Sequence, residues 1–230
     1  MILEAGLCAL AAALPAAAAP ACAAAGAATL ERLFSADCPG CWAQAGAAGS
    51  HPAQPSTGWV FDWIVPAGAD AALSAGALPE SAERLQRLGP GGPSVGTGTG
   101  AATRLARQPA RRAGSSAGLR VQSGPAWNGY FGLELQLPGV ARSRLPAGST
   151  GWLALVERVP AGSDGTPVAR DLVRSVAGPL ALDGPRAGQP LTHLRALRWP
   201  ASAEPTRLQA RAWIEAPDGT ILAVAADQCR

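Results

Sequence analysis

The sequence predicts an α/β fold joined to an all-β one: an N-terminal thioredoxin-like domain over residues 27–115, then an antiparallel β-sandwich-like domain over residues 119–230. Three observations predict it. An apolar run from Thr29 to Phe34 leads into Cys38-Pro39-Gly40-Cys41, and a strand that delivers a C-x-x-C pair to the start of a helix is the thioredoxin-like arrangement. The composition changes after Arg104, Arg107, Arg111 and Arg112, a solvated face, and Gly114-Ser115-Ser116 reads as a linker. Beyond it, strand-length segments alternate with Gly/Pro turns, the pattern of an antiparallel sandwich.

Residues 1–25 read as a signal peptide. From Ile2 to about Ala25 the chain is apolar and Ala-rich, with a core from Leu7 to Leu14 and small residues for cleavage among Ala19 to Ala25. The leading positions are atypical, carrying Glu4 and no Arg or Lys. Pro15 and Pro20 interrupt the segment, so no integral membrane span is expected. Export implies a periplasmic or secreted location. The alternatives are a disordered Ala-rich tail and a lipid anchor on Cys22.

In the N-terminal half, Thr29 to Phe34 is expected as a strand, and the helix after Cys41 is limited by Gly46, Gly49 and Pro52 to about two turns. Trp59 to Val65 is continuously apolar apart from Asp62 and reads as a buried strand. Asp70 to Ala77 and Glu80 to Leu88 read as helical pieces, the second with Leu85 and Leu88 on one face and Arg84 and Arg87 outward. Pro90-Gly91-Gly92-Pro93 ends it. Ser94 to Thr103 is expected as a strand or approach loop. Its Gly-Thr-Gly-Thr-Gly run lacks the Lys of a phosphate loop, so no cofactor is expected.

In the C-terminal half, strands are expected at Leu119–Gln122, Tyr130–Leu137, Trp152–Val159, Val168–Val176, Leu191–Trp199, Arg207–Glu215 and Thr220–Ala226. Leu133/Leu135/Leu137 and Leu153/Leu155 give their strands an apolar face, and Asp218-Gly219 marks a hairpin turn. His193 falls inside a strand and faces a sheet surface.

The 48% hydrophobic content overstates the core, because Ala supplies nearly half of it, whereas Trp is plentiful at seven residues. All basic charge is Arg, and a net charge of +3 is too small to argue for a nucleic-acid partner. Of five cysteines, Cys8 leaves with the signal, and the mature chain then holds Cys22, Cys38, Cys41 and Cys229. In an oxidising compartment the economical pairing is Cys38 with Cys41 and Cys22 with Cys229, the second tying the chain ends together. Such a long loop is worth about 5 kcal/mol on the chain-entropy model; the alternative leaves Cys22 and Cys229 free. Cys38, Cys41 and His51 make only three candidate metal ligands where a closed zinc site wants four, so no metal is expected.

The stretch Glu31-Arg32-Leu33-Phe34-Ser35-Ala36-Asp37-Cys38-Pro39-Gly40-Cys41-Trp42-Ala43 resembles the signature of a secreted thioredoxin-like family, domain-of-unknown-function family 1223, in which Glu, Ser, Cys and Cys stand where this chain has Glu31, Ser35, Cys38 and Cys41. Val60-Phe61-Asp62-Trp63 echoes a second family segment, and Trp152–Glu157, Val168–Ala177 and Ala225–Cys229 resemble its later part. Some members also carry cysteines placed like Cys22 and Cys229. The chain departs from the family in lacking Pro-Pro after the second cysteine and the His before Asp62. The Thr-Pro that supplies the family's cis-proline is absent too, with Pro93 the nearest candidate.

The function expected is that of an exported thioredoxin-like protein exchanging thiols and disulfides with a protein partner, Cys38 as nucleophile and Cys41 resolving. Asp37 beside Cys38 disfavours its thiolate. The alternative is a non-catalytic secreted binding or structural module in which Cys38–Cys41 is a structural disulfide. Trp42, Trp59 and Trp63 would line a groove in that module, although aromatics in strands are more often core.

Overall fold

The computed structural model describes residues 28–44, 58–87, 102–106, 118–184 and 188–227. Its strands are β1 (Ala28–Ser35), β2 (Gly58–Val65), β3 (Ala102–Ala106), β4 (Arg120–Trp127), β5 (Tyr130–Leu137), β6 (Thr150–Val159), β7 (Arg170–Ala181), β8 (Leu191–Arg198), β9 (Leu208–Glu215) and β10 (Ile221–Ala226). The helices are short: α1 (Pro39–Gln44), α2 (Pro79–Arg87) and α3 (Gly139–Arg142).

Seven strands form one mixed sheet in the order β10-β9-β6-β7-β2-β1-β3, and β4-β5-β8 form a second, antiparallel sheet. The expected thioredoxin-like domain followed by a separate antiparallel sandwich is therefore corrected. β1 and β2 are parallel, as a strand–helix–strand unit requires, but the next neighbour of β2 is β7, also parallel to it and drawn from the C-terminal half. Strands from both halves thus share one sheet, and little of it is covered by helix. The reason lies in β2. Every residue from Trp59 to Val65 is at most 7% exposed, so this strand is central, and a central strand needs a neighbour on each edge. The helices among the described residues are too short to cover both faces of a parallel sheet. A second sheet covers part of one face instead.

Side chains alternate across each strand, so the large sheet has two unlike faces. Leu153, Leu155, Ala210, Ala212 and Ile214 point toward the smaller sheet and pack against its Val121, Leu133, Leu135, Leu137 and Leu197. Trp59, Phe61, Trp63, Trp152 and Trp213 point the other way, where Ala82 and Leu85 of α2 lie against them. The Trp152 and Trp213 rings are stacked with centroids 5.8 Å apart, and Trp63 meets Trp213 edge-on at 6.3 Å.

Ion pairs are buried in the tryptophan face. Arg84 of α2, expected outward, is 1% exposed and bridges Glu31 of β1 and Glu215 of β9. Burial works against its charge, yet the two carboxylates hold its pKa above the ordinary value. Arg211 donates to Asp171 at 2.7 Å and to the Val60 carbonyl at 2.6 Å.

Asp70–Ala77, expected helical, contains only a short 3-10 turn at Ser74–Gly76. β4 runs on past the expected Gln122 to Trp127 and turns through Asn128-Gly129, both at positive φ, into β5. The expected Asp218-Gly219 turn joins β9 to β10 with Gly219 at φ 79°, where a residue lacking Cβ is favoured. Residues 1–25, expected as a signal peptide, with Cys8, Cys22, Cys229, His51, Pro93 and the Gly96–Gly100 run, lie outside the described residues.

Candidate redox site at the end of strand β1

β1 ends beside β2, and the chain leaves the sheet through Ala36 and Asp37. This exit is fixed by backbone: Ala36 N–H donates to Val65 O at 2.9 Å, and Leu73 N–H donates to Ala36 O at 2.9 Å. Cys38 N–H returns to Ser35 O at 3.0 Å, which turns the chain into α1. Cys38 and Cys41 are joined by a disulfide with Cα atoms 5.3 Å apart, inside the range such a bridge requires. Both cysteines are half-buried, whereas Asp37, Pro39 and Gly40 are exposed.

Among the described residues, few polar groups contact the pair. Cys41 N–H donates to Cys38 Sγ at 3.3 Å, and the same N–H lies 3.1 Å from Cys38 O. The Asp37 carboxylate accepts from the Ser35 hydroxyl. Thus the carboxylate expected to oppose a Cys38 thiolate is drawn into its own local turn.

What holds α1 against the sheet is Trp42. It is 2% exposed, meets Phe34 edge-on at 5.4 Å, and packs with Ile64, Val159 and Leu172. Its indole N–H donates to Asp164 O at 2.8 Å, in the connection between β6 and β7. Arg170, the first residue of β7, donates from Nη2 to the Trp42 carbonyl and from Nε to Thr166 Oγ1 at 2.9 Å. Its Cζ lies 4.9 Å from the Trp42 ring centroid and 5.3 Å from that of Phe34. Burial pushes its pKa down to about 10, with Asp62 opposing the shift and Arg32 adding to it. Asp62 is forked by Arg32 and accepts Asp171 N–H at 3.1 Å; burial raises its pKa against the pull of Arg32.

The structure therefore brings Cys38 and Cys41 together and places Trp42 under them. Trp59 and Trp63 sit on the opposite face of the sheet from Phe34 and line no groove with the pair. The described cis X–Pro bond, Gly178–Pro179, lies nine residues along β7 from Arg170, roughly 30 Å of strand, and does not face the cysteines. A cleft of about 250 Å³ bounded by Arg142, Ser149, Leu182 and Asp183 contains no residue of this site. His193 Nε2 lies 2.7 Å from Ala181 O at a sheet margin. No cluster of His, Cys, Asp and Glu suited to a metal occurs among the described residues, and none of their helices is long and apolar enough to cross a membrane.

Sequence reasoning missed Arg170 and Asp164. Neither carries a motif, and each sits more than a hundred positions from Trp42. Family models, curated proteins and solved structures return no match to this chain.

Proposed function

We propose that Cys38–Cys41 is an exchangeable disulfide that passes electrons to and from a dithiol of a protein partner, in an exported, oxidising setting. The observation that carries this reading is the openness of the pair. The cysteines are half-buried, on a turn whose Pro39 and Gly40 are open to solvent, and a Cβ built on Gly40 meets nothing within 4 Å. An attacking sulfur has room to approach.

Magnitude supports it too. A bridge across three positions closes so short a loop that its chain-entropy contribution is only about 2 kcal/mol, less than half that of a long loop. Packing of Trp42 anchors α1 independently, so a staple here has little to hold.

The chemistry runs through a mixed disulfide. A partner thiolate attacks Cys38 Sγ, a partner–Cys38 bond forms, and the Cys38–Cys41 bond breaks with the electron pair leaving on Cys41. A second partner thiolate then attacks the partner sulfur, closes the partner disulfide and releases the Cys38 thiolate. Two electrons move from partner to this protein; the reverse sequence oxidises it again. The N–H of Cys41 directed at Cys38 Sγ favours negative charge on that sulfur. The likeness of Glu31–Ala43 to the secreted family supports the same chemistry.

A second reading, a non-catalytic module stapled by this disulfide, is favoured by the packing of Cys41 against the cluster around Phe34 and Trp42. Replacing Cys41 by Ala and expressing the protein in an exported setting separates the two. Exchange predicts reducible adducts on Cys38. No adducts, together with a wild-type disulfide resistant to mild reductant, would establish the staple.

A further inference from the structure

Arg170 is 1% exposed, and its third nitrogen, Nη1, is buried with no hydrogen-bond partner among the described residues. A buried cation with an unmatched donor is costly, and an apolar side chain would fill the same space between Trp42 and Phe34. What an apolar residue cannot do is donate to the Trp42 carbonyl. The last carbonyls of a helix have no partner inside it, and α1 is only six residues long. Arg170 satisfies one of them, on the residue that follows Cys41.

We propose that Arg170 is a positioning residue for the cysteine pair: by fixing the Trp42 carbonyl it keeps Cys41 within bridging distance of Cys38, and so sets how readily the disulfide is reduced. The inference rests on the exchange reading above. Its physical content is a linkage. Whatever holds the two thiols together in the reduced protein raises their effective concentration and favours the disulfide, and closing the disulfide reinforces the same docking in return. The reaction that measures it is protein dithiol plus glutathione disulfide giving protein disulfide plus two glutathione thiols.

The test equilibrates the full chain with glutathione buffers and counts Cys38 and Cys41 thiols by alkylation and peptide mass. Arg170→Met is expected to lower the constant for disulfide formation about tenfold, equivalent to about 30 mV for this two-electron couple. Arg170→Lys is expected to show most of the same loss, because a compact ammonium does not reproduce the fork that reaches Thr166 and Trp42 together. Thr166→Val leaves the charge and removes one anchor of the guanidinium, and is expected to lower the constant about threefold. It carries the test if the Arg170 variants do not fold.

A merely structural Arg170 would destabilise oxidised and reduced forms alike and leave the constant within twofold of wild type, which overturns the proposal. A rise in the constant, or full restoration by Lys, overturns it as well, since charge rather than position would then be acting. Failure of the exchange reading is separate: a shifted constant with no adducts on Cys38 in the Cys41→Ala protein keeps the role of Arg170 and removes the proposed function.

Discussion

The two faces of the large sheet are closed by different means. One meets a second sheet through leucines, valines and alanines, among them Leu133, Leu135, Leu153 and Leu155, and its buried pairs Arg32–Asp62 and Arg174–Glu157 join strand to strand or to a loop rather than sheet to helix. The other carries tryptophans and holds Arg84 between Glu31 and Glu215. Sheet-on-sheet packing needs only matched apolar surfaces, so its stability is spread over many small contacts. A helix of nine residues offers far less area. α2 is tied down by a charge that reaches two strands at once. The first face tolerates single losses in proportion to volume, whereas the second fails at one atom group.

The largest expected effect follows from that. Arg84→Met leaves two buried carboxylates facing each other without their cation, and unfolding in urea should show a loss of about 3–5 kcal/mol. Replacing the trio together by apolar residues should recover most of it; no recovery would mean that α2 is held by something other than the charges. On the leucine face, Leu135→Ala is expected to cost about 2–4 kcal/mol with no second site able to rescue it. Smaller again is Gly178→Ala. Its Cβ would fall 2.3 Å from Trp152 Cε3, and displacing the stacked indole is expected to cost about 1–3 kcal/mol, read as lower stability and altered near-ultraviolet dichroism.

The smallest effect concerns pH. Burial holds the Arg170 pKa at about 10, below the ordinary guanidinium range. From that value up to the ordinary range the unfolded chain binds more protons than the folded one, so the Arg170 contribution to stability rises with pH there. The stability of wild type relative to Arg170→Met should therefore increase from about pH 9.5 to 11.5; a decrease would contradict a depressed pKa.

The contrast between the faces also explains what the sequence made legible. Alternating leucines placed β5 and β6, and Asp218-Gly219 marked the last hairpin, because these are local patterns with a fixed period. Asn128-Gly129 carried the same kind of signal and would have extended β4 to Trp127. The insertion of β7 beside β2 was not legible. Parallel pairing between segments more than a hundred residues apart leaves no local trace. Arg84 read as a solvated residue because helical spacing shows which residues share a face, but not that the far end of a guanidinium reaches two carboxylates across a sheet. At the candidate site, Cys38 and Cys41 announced themselves by spacing. Trp42 was visible as a neighbour, and its anchors, Asp164 and Arg170, were not.

An exchangeable Cys38–Cys41 bond must open while the sheets stay folded. Reduction of the native protein by glutathione, followed by thiol counting alongside the near-ultraviolet dichroism of the tryptophans, measures this directly. An exchangeable pair predicts two new thiols, at Cys38 and Cys41, at a rate independent of low urea and with the tryptophan signal retained. A bond that resists reduction until urea unfolds the protein, its opening tracking loss of the tryptophan signal, would contradict exchange and leave the disulfide a staple.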